Sequence, residues 1–362
     1  VNGKSILSQM TPYKQGMQIE EVKKEYGLTR IVKLASNENP FGYSSKLQEQ
    51  LPNMLHDFAI YPDGYTAELR TALATKLQIE ENQLVFGSGS DELVQLTCRA
   101  FLYPGVNTVM AAPTFPQYKH NAQIEGAEIK EIPTVNGYHD LESMVHAIDE
   151  NTKVVWLCSP NNPTGCLTPK DEFYSFLNKC PRDVLIVLDE AYYEYVEPGL
   201  DPDAINNINN YSNLLVLRTF SKAYGLAGLR IGYGVGSEQI ITKLNVVRGP
   251  FNTTSYTQKA ALIALEDESF IKETYEKNKF IKETFQHFLD NIGWSYYDSH
   301  TNFLCVSLPV SGNEMFAYLL KHGYIVRPGE GIGCPNTVRI TIGNKQDMEK
   351  LQSIIQEFKR CR

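Results

Sequence analysis

The residue with the most chemistry in its reach is Lys222. It stands in Thr219-Phe220-Ser221-Lys222-Ala223-Tyr224-Gly225-Leu226-Ala227-Gly228-Leu229-Arg230, among small and apolar neighbours and after an apolar run. An amine taken out of water loses its proton more readily and becomes a nucleophile able to form an imine. The plainer alternative is a lysine whose stem covers apolar surface while its ammonium reaches water. Asp189 ends a second apolar run and opens Asp189-Glu190-Ala191-Tyr192. A carboxylate buried there needs a cation or several hydrogen bonds; otherwise it caps the next segment. In Phe86-Gly87-Ser88-Gly89-Ser90-Asp91-Glu92 small residues stand between a strand-like and a helix-like stretch. Free N–H groups and the helix dipole there make a phosphate cradle, or else a simple turn capped by Ser90 or Asp91. It is neither a G-x-x-x-x-G-K-[ST] loop nor a G-x-G-x-x-G fingerprint. Ser159-Pro160-Asn161-Asn162-Pro163-Thr164-Gly165 is held by two prolines and a glycine and aims its asparagines, or is ordinary turn chemistry.

All four motifs begin where a predicted strand ends. Short apolar runs at 83–86, 108–111, 154–158, 185–188, 214–217 and 230–234 read as strands. Helical patterns lie between them at 91–102, 116–125, 141–148 and 169–178. Such alternation predicts an α/β fold, a mainly parallel sheet covered on both faces. Ligands of an open parallel sheet bind outside the carboxyl ends of its strands, so loops far apart in sequence can converge there. After Arg248-Gly249-Pro250 the pattern changes to a long charged helix over 257–290, strands at 302–307 and 338–342, and a closing helix at 347–358. The expected division is an N-terminal segment 1–45, a large ligand-binding domain 46–250 and a small α+β domain 251–362. The first segment is expected to pack on the small domain or on a partner subunit.

Composition narrows the classes. The 362 residues carry 34 Lys+Arg against 42 Asp+Glu, a net charge of −8. That argues against a nucleic-acid backbone or an anionic membrane as partner. Hydrophobic residues at 42% and charged residues at 21% are those of a globular chain rather than a disordered one. No apolar run approaches the ~18–20 residues of a membrane span, and Val1–Met10 lacks the apolar stretch of a signal peptide. Cysteines 98, 158, 166, 180, 305, 334 and 361 are scattered without a C-x-x-C pair, which predicts reduced thiols, a cytoplasmic setting and no zinc framework. The histidines are equally scattered, so no metal site is expected.

A phosphate cradle, a carboxylate, hydrogen-bonding Asn and Tyr, and an imine-forming lysine together describe a site for pyridoxal 5'-phosphate, which is held by a lysine Schiff base and an acidic partner to its ring nitrogen. An ion pair near contact is worth ~4 kcal/mol at an effective dielectric of about 20, enough to keep that nitrogen protonated.

With these residues in hand the chain resembles the fold-type I pyridoxal-phosphate aminotransferases, most closely the histidinol-phosphate aminotransferase branch. The likeness runs from Tyr13 to the closing helix. It rests on TFSKAYGLAGLR at 219–230, SPNNPTG at 159–165, DEAY at 189–192, SNENPFG at 36–42 and YPDG at 61–64. The resemblance implies that Lys222 holds the cofactor as an internal aldimine and shuttles the substrate proton. Asp189 pairs with the ring nitrogen, and Asn162 and Tyr192 bond the ring hydroxyl. Phe115 stacks on the ring where many relatives carry Tyr, with core packing as the competing role. Ser90, Asp91, Ser221 and Arg230 surround the phosphate. Tyr61 reaches the cofactor of a neighbouring subunit, which implies a homodimer. Arg339 and Arg327 bind the anionic groups of small-molecule substrates, Arg327 having a surface ion pair as its alternative. Tyr13 and Asn37 fold over the substrate. The implied reaction is ping-pong transamination between L-histidinol phosphate and 2-oxoglutarate. Aromatic amino-acid transamination and decarboxylation of a phosphorylated amino acid are the alternatives.

Overall fold

The computed structural model describes residues 3–12, 19–54 and 59–360. Its strands, in chain order, are β1 Val32–Lys33, β2 Leu84–Gly87, β3 Asn107–Ala112, β4 Glu128–Pro133, β5 Thr152–Cys158, β6 Leu185–Asp189, β7 Leu214–Thr219, β8 Gly232–Gly236, β9 Phe303–Ser307, β10 Tyr324–Ile325, β11 Arg327–Pro328 and β12 Thr337–Thr341. Seven of them form one sheet in the order β2-β8-β7-β6-β5-β3-β4. The central strands are rich in Val, Ile and Leu because both of their faces are covered. Along β6 and β7 alternate residues enter opposite cores. Ile186, Leu188 and Val216 pack with Phe173 and Phe176 on one side. Val187, Leu215 and Leu217 pack with Leu93, Val94 and Leu244 on the other. Each such side chain removed from water contributes about 1.5–3 kcal/mol.

The sheet is parallel except for β8, which runs antiparallel to both β2 and β7. This strand begins at Gly232 rather than at Arg230. A Cβ on Gly232 would press on the backbone of Gly89, Ser90 and Arg218, so only glycine fits the crossing. Several elements escape the sequence reading, among them the helices Ala67–Leu77 and Gly312–Lys321 and the two that follow. The helix Glu238–Val247 lies beneath the β2 side. The edge strand β4 carries its charges outward, with Lys130 paired to Asp149 and Lys119 to Glu131, a common protection of an open edge.

A second sheet, β11-β12-β9, is antiparallel, and β1 pairs in parallel with β10. The N-terminal segment is thereby sewn to this smaller unit, and Val22 packs with Ala35, Leu320 and Ile325. The single helix expected over 257–290 is two. Ser255–Leu265 packs into the core of the large sheet, and Glu268–Asn291 packs Phe285 and Leu289 against the small one. Asp267 separates them. Its carboxylate accepts from Phe270 N–H at 3.3 Å and from the Ser44 hydroxyl at 2.5 Å, which caps the second helix and pins it to the segment 44–50. No helix among the described residues is long and apolar enough to cross a membrane.

Candidate active site

The carboxyl ends of β2, β3, β5, β6 and β7 open into a cleft of about 620 Å³, closed on the far side by residues 33–38 and by the small sheet. Its floor is the start of the helix Ser90–Phe101. Gly89 precedes this helix at φ 81°, and no side chain caps it. Neither Ser90 nor Asp91 acts as a cap. Glu92 is turned back, accepting from Ser88 N–H at 2.5 Å and from Asn252 Nδ2 at 2.8 Å. Arg230 lies alongside. Its Nη1 donates to Ser221 Oγ at 3.3 Å and to Ala227 O at 3.1 Å, and its Nη2 donates to Ser88 O at 3.3 Å. A Cβ on Gly89 would collide with that guanidinium. An uncapped helix start, a guanidinium and a hydroxyl in one corner suit a phosphate dianion. Asp91 faces the same corner, and its carboxyl is raised above the usual range by burial, against the opposing pull of Arg230 and Lys222.

Asp189 ends β6 and is 3% exposed. Its Oδ2 accepts from Tyr118 O–H at 2.6 Å and its Oδ1 from Ala191 N–H at 3.2 Å. Burial pushes its carboxyl up to about 6, and the Tyr118 hydrogen bond opposes that shift. Lys222 Nζ donates to Ser36 O at 3.1 Å and lies 5.8 Å from the centre of the Tyr192 ring. Burial, and then the nearby Arg339 charge, bring its amine down to about 8, while Asp91 and Glu38 act the other way. The Tyr192 phenol is pushed up by burial, with Arg339 and Asn37 opposing. Its oxygen accepts from Asn37 Nδ2 at 2.8 Å. Asn37, at φ 58°, is itself locked to Thr341, with Thr341 Oγ1 donating to Asn37 Oδ1 at 3.0 Å. Phe115 lines the cleft between β3 and the helix Pro116–Glu125, edge-on to Tyr118 at 5.4 Å.

The opposite wall is cationic. Arg339 is 8% exposed. Its Nη1 donates to Asn162 Oδ1 at 2.5 Å and its Nη2 to Ala35 O at 2.7 Å, over the face of Phe303. Arg327 is its direct cross-strand partner in the β11–β12 pair. Residues directly opposite in antiparallel strands project to the same face, and both arginines line the cleft. Two like charges on one wall repel each other. An anion between them turns that cost into attraction, and the planar forks suit carboxylate or phosphate oxygens.

Of the residues singled out by sequence, Asn37, Ser90, Asp91, Phe115, Asn162, Asp189, Tyr192, Ser221, Lys222, Arg230, Arg327 and Arg339 line this one cleft. Tyr61 does not. It is 78% exposed and stacks on Phe251 at 4.7 Å. Tyr13 lies outside the described residues. Sequence reasoning missed Tyr118 and the carbonyls of Ala35 and Ser36. Tyr118 stands three residues after Phe115 and reads as an ordinary core aromatic, and backbone carbonyls leave no trace in residue type. Among the described residues no group of His, Cys, Asp and Glu side chains is placed to hold a metal ion.

The features present fit pyridoxal phosphate: an anion corner, a buried carboxylate, an amine held near neutrality, and an aromatic face. The sequence pattern described as aminotransferase class I and II matches residues 29–355. The chain is 57% identical over 359 residues to histidinol-phosphate aminotransferase 2 of Oceanobacillus iheyensis, covering 99% of each. It is 50% identical over 356 residues to the histidinol-phosphate aminotransferase of Bacillus subtilis, covering 98% of this chain and 99% of that one. Its fold superposes on the Sinorhizobium meliloti histidinol-phosphate aminotransferase in complex with pyridoxal-5'-phosphate with a TM-score of 0.89, at 26% identity and 98% coverage of both chains.

Proposed function

The chain belongs to the class I and II aminotransferases, and on that premise we propose that its cleft exchanges the amino group of L-histidinol phosphate with 2-oxoglutarate on pyridoxal 5'-phosphate. The bound cofactor supplies an acceptor for the amino group and a protonated ring that draws electrons away from the substrate Cα. The work of the chain's own residues follows from their places. Ser90, Asp91, Ser221 and Arg230 take the cofactor phosphate, the first two through backbone N–H groups at the helix start. Asp189 holds the proton on the ring nitrogen, because a carboxylate beside that nitrogen stabilises its charged form. Asn162 and Tyr192 bond the ring hydroxyl, and Phe115 covers the ring face. Lys222 Nζ anchors the cofactor and, once freed, moves the proton that leaves the substrate Cα. An amine near neutrality suits both giving and taking a proton.

The observation that carries the substrate reading is the register of Arg327 against Arg339. One pair of forks can hold the phosphate of the first substrate and a carboxylate of the second, so both half-reactions use one wall. Tyr13 and Asn37 belong to the segment that covers the substrate. Tyr61 and Phe251, exposed on one protomer, meet a second copy, and Tyr61 enters the partner's cleft in a homodimer. The large domain, 46–250 with the helix Ser255–Leu265 added to it, carries the cofactor, and the small domain built by the rest of 251–362 carries the substrate arginines. The buried free thiols suit a reducing cytoplasm.

The test is a spectral titration of the cofactor-loaded chain with no 2-oxo acid present. L-Histidinol phosphate is expected to convert the cofactor absorbance to that of its amine form at concentrations far below those of L-tyrosine or L-phenylalanine. Equal conversion by the aromatic amino acids would overturn the substrate assignment and leave the transaminase standing.

A further inference from the structure

Tyr118 is fully buried on the helix Pro116–Glu125, and its hydroxyl donates to Asp189 Oδ2 at 2.6 Å. Its ring stacks on Trp156 at 4.6 Å and 12°. Trp156 is fixed in turn: its indole N–H donates to Thr108 Oγ1 at 3.0 Å, and that hydroxyl donates to Val154 O at 2.8 Å. The phenol oxygen therefore sits at the end of a buried chain anchored in β3 and β5. On its other side the same ring meets Phe115 edge-on.

We propose that Tyr118 is a positioning residue that keeps Asp189 an oriented carboxylate and sets the Phe115 ring above the same ligand. The proposal rests on the reading that Asp189 meets the cofactor ring. A phenol O–H can only donate to that oxygen while the oxygen accepts, so the contact favours the ionised acid. Little else does. Asp91 and Glu190 oppose a charge on Asp189, and the Cys158 thiol and the Tyr192 phenol also face it. Lys222 and Arg230 lie across the cleft on the loop 219–230. Among the described residues the other donor to the carboxylate is the Ala191 backbone. With Oδ2 held by the phenol and Oδ1 by that N–H, the group cannot turn.

The variant Tyr118→Phe keeps the ring and its stacking and removes the donor. The full chain is freed of cofactor and labelled with carbon-13 aspartate, and Asp189 is assigned by comparison with Asp189→Asn. Its titration is then followed by NMR. The midpoint is expected to rise by about 1–2 pH units, the size of a hydrogen bond to a charged group. In the reloaded variant, cofactor affinity is expected to fall at pH 7 and to recover at pH 9. A role in packing alone predicts neither change, and an unmoved midpoint overturns the proposal. Should the phenylalanine variant not fold, 3,5-difluorotyrosine at 118 keeps the shape and strengthens the donor. The midpoint should then fall, and an unmoved one is again fatal. Because the titration is read without cofactor, its outcome is separate from the reading of Asp189 itself. That reading is tested by the loss of cofactor affinity in Asp189→Asn.

Discussion

Replacing Arg339 by lysine keeps the charge of the cationic wall and removes its fork. The native guanidinium spends one N–H on Asn162 Oδ1 and another on Ala35 O, and lies over the Phe303 ring. Its plane is thus fixed before any substrate arrives. A lysine ammonium is a point charge on a flexible stem and cannot serve both acceptors and a substrate oxygen in one plane. At a site only 8% exposed, one lost charge-assisted hydrogen bond costs about 1.5–3 kcal/mol. That is roughly a 10- to 140-fold loss at 1.4 kcal/mol per decade. Both half-reactions should suffer, since the same fork meets either substrate. The assay is single-turnover conversion of the bound cofactor by L-glutamate and, separately, by L-histidinol phosphate, with half-saturation read for each. Thermal melting checks that the β9–β12 pairing survives. Arg327→Lys is the companion: this residue is only partly buried, so solvent screening should make its loss smaller. If Arg339→Lys saturates with both donors within threefold of the native chain, the wall formed by Arg339 and Arg327 does not recognise the substrate anions.

Two further outcomes follow from the geometry. In the cofactor-free chain, labelling of Lys222 by an amine-reactive reagent should rise through about pH 8, because burial and Arg339 destabilise its charged form. Arg339→Met should move that midpoint upward, and a native midpoint at the ordinary 10.5 would show that the amine is not held down. Subunit mixing tests the shared site. Homodimers of Lys222→Ala and of Tyr61→Ala should each be impaired, the first without turnover. Hybrids should regain activity, since one of their two clefts then has both native residues. Mixtures no more active than their parents would place Tyr61 outside the partner's cleft.

Much of the site is legible in the sequence because parallel strands announce their ends. An apolar run followed by Gly, Ser, Asp or Asn marks a carboxyl edge, and most residues of the cleft lie within a few positions of one. Boundaries drift where a cap decides them: the pause at Glu266–Asp267 is invisible to a search for apolar periodicity, but Asp267 turns one helix into two. The strand β4 reads poorly because its edge position lets Glu128, Lys130 and Glu131 interrupt the apolar pattern. Tyr118 is hidden for another reason. Its role depends on what its hydroxyl meets across the fold, at a sequence separation of 71. Asn37 is expected over the substrate, and its contacts are with the Tyr192 hydroxyl, Thr341 and Asn302, partnerships that only tertiary folding creates.

The short run Ala35-Ser36-Asn37 holds the resting contacts of three functional groups. The Ala35 carbonyl receives Arg339, the Ser36 carbonyl receives Lys222, and the Asn37 amide reaches Tyr192. The first of these belongs to the small sheet and the other two to the large one, while β1 just upstream is hydrogen-bonded to β10. What looks in the sequence like a lead-in is therefore the keystone between the two halves. Trimming that reaches residue 37 would withdraw a carbonyl from under each cation and a donor from the phenol in a single cut.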